Sequence, residues 1–513
     1  MRLPLLVVLC ASLAFAADRP RLAVLIVIDQ LGSSTFDQRV PLATAGIRRM
    51  IGEGTWVKQL RYETAPTVTS VGHATLVTGT YPDRHGIVSN EWYDDALGRK
   101  TLSTEDDRYQ ILGRPPVARD CTSPWLMKMP TLGDTFKAWR KESKTVAISG
   151  KERSAILPAG YSADAVVWLD HQSGLFTTST FYAKEMPAFL AGPNTLIAKS
   201  IASGTQFTFA GGGFNARKRT IERHHLPDGG LEPMNEKFEL QPLYEHAEVD
   251  AALAAVKAYG LGRDEAPDFL SLSFSSHDFL AHDVGPDDPE MEDDFRRIDI
   301  QIGRLLDGLD KEVGKGKYVV ALTSDHGGGQ NAELLKERRI DSGRIDGWVT
   351  VRNALEAEAD AALGAGDWFV GFWTPGVSST AAVRTRLHTA DARIIAAGRK
   401  IPGVAEVISM PELNKPGTYG ALGDLYRHGA FPGRSPDFII VPRPYWMYGT
   451  RDSASHGTPW LFDRNVPLVL FGGGVRKGEI ELAEPVDVAP TLAALVGAPP
   501  PPATTGRVLV PIR

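Results

Sequence analysis

The chain alternates short, nearly continuous apolar runs with segments of helical period. Residues 22–28, 145–148, 166–169, 269–274, 318–323, 438–441 and 468–471 are dense in Val, Ile, Leu and Phe. Runs of this kind predict strands buried on both faces. Between them, 68–78, 251–259, 293–309 and 488–496 carry the pattern of helices. Strand and helix in alternation predict an α/β fold, an open and mostly parallel sheet covered by helices on both faces. Two stretches break the rhythm. Residues 161–247 are rich in Gly, Ser, Thr and aromatics, with a Gly211-Gly212-Gly213 run; residues 331–436 open on charged helical text and end in Gly- and Pro-rich segments. Both read as insertions that wall a site within one catalytic unit, 17–513. The Pro-rich 498–503 reads as an extended tail.

Composition narrows the class without changing the fold. With 513 residues, 43% hydrophobic and 23% charged, the chain is globular and large enough for a sizeable core. A net charge of −6 gives no footing for a nucleic-acid partner, and no short internal period suggests a solenoid. The N-terminus pairs Arg2 with an apolar stretch at 3–13 and Ala14-Phe15-Ala16, which predicts a signal peptide at 1–16. That stretch is too short to span a bilayer, and no later segment reaches the length of a span. Leu9 before Cys10 does not fit a lipoprotein site. Cleavage near Ala16 would leave Cys121 alone, with no internal disulfide. The expected location is secreted or bacterial periplasmic.

Candidate chemistry lies where predicted strands end. The 22–28 run leads into Asp29, 318–323 into Asp325-His326, and 269–274 within a few residues to Asp278. In an open α/β sheet ligands gather beyond the carboxyl ends of the strands, so these side chains are expected to converge. Asp278 and His282, four apart, share one side of a turn or helix start, and Asp and His are both good zinc ligands. His456, in the polar loop 453–458, completes a ligand set otherwise one short. Thr67, Thr69 and Ser70 stand at the start of a predicted helix, where bare N–H groups and the helix dipole favour phosphate. Local sequence does not separate these three hydroxyls. Lys151 and Arg153, alternate positions of a segment read as extended, would face one pocket, and a phosphomonoester carries more charge for them than a diester. The acidic 287–294 run reads as a helix start, His85 as structural, and Trp92 and Tyr93 as packing.

In their order from Arg21 to Ile512, these motifs resemble the alkaline phosphatase superfamily, specifically its secreted threonine-nucleophile alkaline phosphatases. Nucleotide pyrophosphatase/phosphodiesterases are close relatives. The resemblance implies two Zn2+ per chain, one held by Asp29, Thr69, Asp325 and His326, the other by Asp278, His282 and His456. Spacing to His73 then singles out Thr69 as the nucleophile, acting through a covalent phosphothreonine, with Asn90 on a phosphate oxygen. The Lys151-x-Arg153 pair and the 155–160 segment resemble the monoesterase branch. The expected function is therefore a broad phosphomonoester hydrolase acting on small phosphoesters, and the resemblance to that branch implies a monomer. The alternatives are a phosphodiesterase/nucleotide pyrophosphatase and a non-catalytic phosphate-binding protein, which would be expected to have lost a ligand or the nucleophile. A sulfatase reading fails, because Cys121-Thr122-Ser123-Pro124-Trp125 does not match C-x-P-x-R.

Overall fold

The computed structural model describes residues 19–117, 119, 122–203, 206–207, 219–220, 242–450 and 452–509. The expected signal peptide, both cysteines and the Gly211–Gly213 run lie outside them. The main sheet has nine strands: β1 (Leu22–Ile28), β2 (Thr55–Arg61), β3 (Thr145–Ser149), β4 (Ala165–Leu169), β5 (Phe176–Thr177), β6 (Asp268–Phe274), β7 (Tyr318–Thr323), β8 (Asn465–Gly472) and β9 (Gly478–Ala483). Their spatial order is β9-β2-β8-β7-β1-β6-β3-β4-β5. The central run β7-β1-β6-β3-β4 is parallel throughout, while β8 runs antiparallel to both its neighbours.

Strand alternation explains why β1 is apolar at every position. Leu22, Val24, Ile26 and Ile28 point to one face and pack with Phe295, Ile298 and Ile302 of the Pro289–Leu309 helix and Ala251 and Ala255 of the Pro242–Tyr259 helix. Ala23, Leu25 and Val27 point to the other and meet Leu76 and Val77 of the Thr69–Thr78 helix and Leu492 of the Val488–Val496 helix. A strand flanked by hydrogen-bonded neighbours and covered twice has no polar face to show.

The 438–441 run forms a strand, Phe438–Pro442, but not in the main sheet. It pairs with Gly376–Ser378 and Val404–Ser409 in a separate four-stranded antiparallel sheet completed by Gly371–Trp373. Phe438 and Ile440 join a core with Leu355, Val377, Ile394 and Val407, while Ile439 and Val441 face a second cluster with Leu413 and Tyr426. Burial on both faces produced the apolar run here too, so the run reports burial and not sheet membership. Among the described residues no helix is long and apolar enough to cross a membrane.

Candidate active site

Because β7, β1, β6 and β3 are adjacent and parallel, their carboxyl ends share one edge of the sheet. Asp29 follows β1, Asp325 and His326 follow β7, Asp278 and His282 lie on the Ser276–Val284 helix after β6, and Lys151 follows β3. Convergence on this edge makes two groups of metal-ligand type, Asp29/Asp325/His326 and Asp278/His282/His456, with donor atoms in each within 4.8 Å of one another.

Thr69 opens the Thr69–Thr78 helix, and its Oγ1 lies 3.4 Å from His326 Nε2. The helix can sit this close because residue 72 is glycine: a Cβ there would lie 2.1 Å from the Asp325 carbonyl oxygen. One turn on, His73 Nδ1 stands 3.0 Å from the Thr69 carbonyl and 3.3 Å from Asp325 Oδ2, while Nε2 meets Ser273 Oγ at 3.1 Å. Asn90 Oδ1 accepts the Ser70 N–H at 2.9 Å, which places its amide at the same helix start. His456 Nδ1 is 3.0 Å from the Thr67 carbonyl, and its ring stacks on His326 with centroids 3.7 Å apart.

The donor set suits divalent cations. His282, His326 and His456 each direct Nδ1 at a backbone carbonyl, of Ala454, Gly327 and Thr67. A ring donating from Nδ1 leaves the Nε2 lone pair free. Among the described residues, Asp29 Oδ1 and Asp325 Oδ2 are buried and accept no hydrogen bond, although His73 Nδ1 stands 3.3 Å from Asp325 Oδ2. Buried carboxylate oxygens are costly unless they are paired or coordinate a metal. Burial, then the nearby Asp325 carboxylate, push the Asp29 carboxyl well above its usual range. Burial works the same way on Asp278, but Lys151 and His282 outweigh it and hold that carboxyl well below its usual range. Burial also lowers His326 and His456, favouring the neutral imidazole a cation needs.

Lys151 lies between the two groups, its Nζ 2.7 Å from Asp29 Oδ2 and 2.5 Å from Asp278 Oδ2. The segment around it is not extended as expected. Lys151 has extended dihedrals, but it caps the Glu152–Ala159 helix, so Arg153 sits in a first helical turn. Glu152 at the start of that turn suits the positive end of the helix dipole. Arg153 Nη1 meets Glu152 Oε1 at 3.3 Å and makes no direct contact with the ligand carboxylates; burial lowers its pKa, but Glu152 first, and then Asp29 and Asp278, outweigh it and raise it.

Several supporting residues were not singled out from sequence. His277 Nδ1 lies 2.7 Å from the Asp29 carbonyl oxygen, and the Gln30 N–H donates to Asp325 Oδ1 at 3.2 Å. Both adjoin predicted ligands, and that adjacency was the one available signal. His85, read as structural, is fully buried between Thr75 Oγ1 and the Ile87 N–H, and burial lowers its pKa to about 3. The 287–294 run does begin a helix, Pro289–Leu309, capped by Asp288. Tyr93 stacks against Trp373 with centroids 6.4 Å apart.

Residues 23–462 match the model of the type I phosphodiesterase / nucleotide pyrophosphatase family. The chain is similar to the alkaline phosphatase PafA of Elizabethkingia meningoseptica, 27% identical over 94% of this chain and 92% of that one. It is 29% identical to the alkaline phosphatase PhoK of Sphingomonas sp over 95% of this chain and 90% of that one. The crystal structure of wild-type PafA superposes with a TM-score of 0.84 at 25% identity, covering 96% of this chain and 99% of that one. Murine ectonucleotide pyrophosphatase / phosphodiesterase 5 shares the fold with a TM-score of 0.54 at 15% identity, over 94% and 96% of the two chains.

Proposed function

The chain belongs to the type I phosphodiesterase / nucleotide pyrophosphatase family and is a phosphoric ester hydrolase, and from that premise we propose that it is a two-zinc phosphomonoesterase with Thr69 as nucleophile. The observation that carries this reading is the Thr69 hydroxyl beside His326 at a helix N-terminus, flanked by the two ligand groups. Asp29, Thr69, Asp325 and His326 would hold one ion; Asp278, His282 and His456 would hold the other. When bound, the ions supply Lewis acidity at the attacking and leaving oxygens.

The remaining work belongs to the chain. Thr69 Oγ1 attacks phosphorus, its O–P bond forms as the bond to the leaving alcohol breaks, and water then cleaves the phosphothreonine to release phosphate. Splitting hydrolysis this way needs the phosphoryl group held still through both steps. The Ser70 N–H on Asn90 Oδ1 fixes that amide and leaves its NH2 to donate to a phosphate oxygen. Lys151 and Arg153 add positive charge for the extra negative charge of a monoester. The Lys151 ammonium, buried between Asp29 and Asp278, also offsets their mutual repulsion.

Substrates would be small phosphoesters of broad range, with the protein exported after removal of residues 1–16 and acting as a monomer. A phosphodiesterase is the second reading. It shares the threonine and ligand scheme and is favoured by the family description, but Lys151 and Arg153 count against it as the main activity. Thr69→Ala should lower phosphomonoester kcat about a thousandfold or more while bound zinc stays near the wild-type level. Near-wild-type turnover in that variant would remove Thr69 as nucleophile.

A further inference from the structure

The Pro242–Tyr259 helix buries two glutamates one turn apart, Glu245 and Glu248, each about 1% exposed. Neither touches a ligand group, and carboxyls are rarely left this deep without a task. Their partners are informative. Glu245 Oε1 accepts the Ser276 hydroxyl at 2.7 Å, and Ser276 is the first residue of the helix that carries Asp278 and His282. Glu248 lies against the backbone of Gly150, the residue before Lys151. A Cβ at Gly150 would meet Ser275 Cβ at 3.0 Å and Glu248 Oε1 at 3.3 Å, so this backbone is closely enclosed.

Two serine contacts tie the same segments together. Ser149 Oγ and Ser275 Oγ are 3.0 Å apart, and the Lys151 N–H donates to Ser149 Oγ at 3.2 Å. Ser149 ends β3 and Ser275 directly follows β6, neighbouring parallel strands. One helix thus fastens both strand exits, one leading to the lysine and the other to the Asp278/His282 pair.

We propose that Glu245 and Glu248 are positioning residues with separate duties: Glu248 sets the backbone that aims Lys151 and so governs the preference for monoesters, while Glu245 sets the helix that presents Asp278 and His282 and so governs affinity for the ion held there. Two carboxylates at i and i+3 of one buried helix face, one accepting the Ser276 hydroxyl and one against the Gly150 backbone, hold both strand exits from a single element. The Glu248 duty rests on the proposed role of Lys151 in monoester recognition.

The experiment uses the zinc-loaded full chain and reads two quantities, the ratio of kcat/KM for an aryl phosphomonoester over an aryl phosphodiester, and zinc retained against a chelator. Glu248→Leu should lower the ratio about tenfold, Glu248→Gln, which keeps the acceptor oxygen, should leave it within about twofold, and Glu248→Leu should add little on top of Lys151→Ala. Glu245→Leu should leave the ratio unchanged and lose one zinc at lower chelator concentration than wild type. If Lys151→Ala does not move the ratio, the reading of Lys151 fails and takes the Glu248 duty with it. If Lys151→Ala moves the ratio while Glu248→Leu lowers both substrates equally, positioning by Glu248 alone is overturned. Unchanged zinc retention in Glu245→Leu overturns its part. Should Glu248→Leu not fold, Ser149→Ala, which removes the acceptor for the Lys151 N–H, must lower the ratio, and an unchanged ratio is equally decisive.

Discussion

At Gly72 the absence of a side chain brings a helix onto a strand end. A methyl group there would overlap the Asp325 carbonyl, which is backbone and cannot swing aside. Gly72→Ala must therefore move the Thr69 helix, the Asp325 loop or both. We expect about 1–3 kcal/mol of destabilisation, as for other overpacked sites, and a fall in kcat/KM of about tenfold or more from misplacing Thr69 against His326. Thermal unfolding and steady-state kinetics read the two effects, and wild-type values in both would contradict the close-approach account. The glycine was visible in the sequence between Thr69 and His73, but its reason was not, since the atom it makes room for is 253 residues away in the chain.

Elements were legible to the extent that burial follows hydrophobicity. β1 and β7 match their apolar runs residue for residue, because both lie at the centre of a covered sheet. β2 and β9 escaped notice, since β2 leaves Lys58 and Gln59 half-buried and the edge strand β9 leaves Glu479 and Glu481 exposed. The Pro242–Tyr259 helix was expected to start at 251, because Glu245 and Glu248 put charge where the helical pattern calls for apolar side chains. Polar burial that breaks the pattern is where supporting function hides. The second sheet shows the same point through His388, which meets Asp391 Oδ1 at 2.8 Å and Asp437 Oδ1 at 3.4 Å. Burial opposes its charge, but these two carboxylates outweigh it and raise its pKa from 6.5 to about 9. A raised folded-state value stabilises fully below pH 6.5 and is lost as pH rises through about 9. Partial exposure screens the effect to about 1 kcal/mol. Calorimetry should show a transition temperature that declines across that window, less steeply in His388→Gln. An identical slope in wild type and variant would show that His388 contributes nothing to it.

Across the whole molecule, the site draws Asp29, Thr69, Asp278, Asp325 and His456 from distant parts of the chain, and the parallel strands are what bring most of them to one edge. Four adjacent strands deliver Asp29, Lys151, the Asp278/His282 helix and Asp325-His326. Thr69 and His456 arrive on the segments packed across that edge, joined by the His456 contact to the Thr67 carbonyl. Sequence motifs indicated which residues to watch, and only the topology shows how they meet. On the function proposed above, what sets the substrate is the charge that Lys151 and Arg153 would add to that shared edge. The most direct measurement is kcat/KM of the purified, zinc-loaded wild-type chain on a phosphomonoester and a phosphodiester with the same leaving group. The account predicts that the monoester is preferred by about a hundredfold or more; a preference for the diester would contradict it.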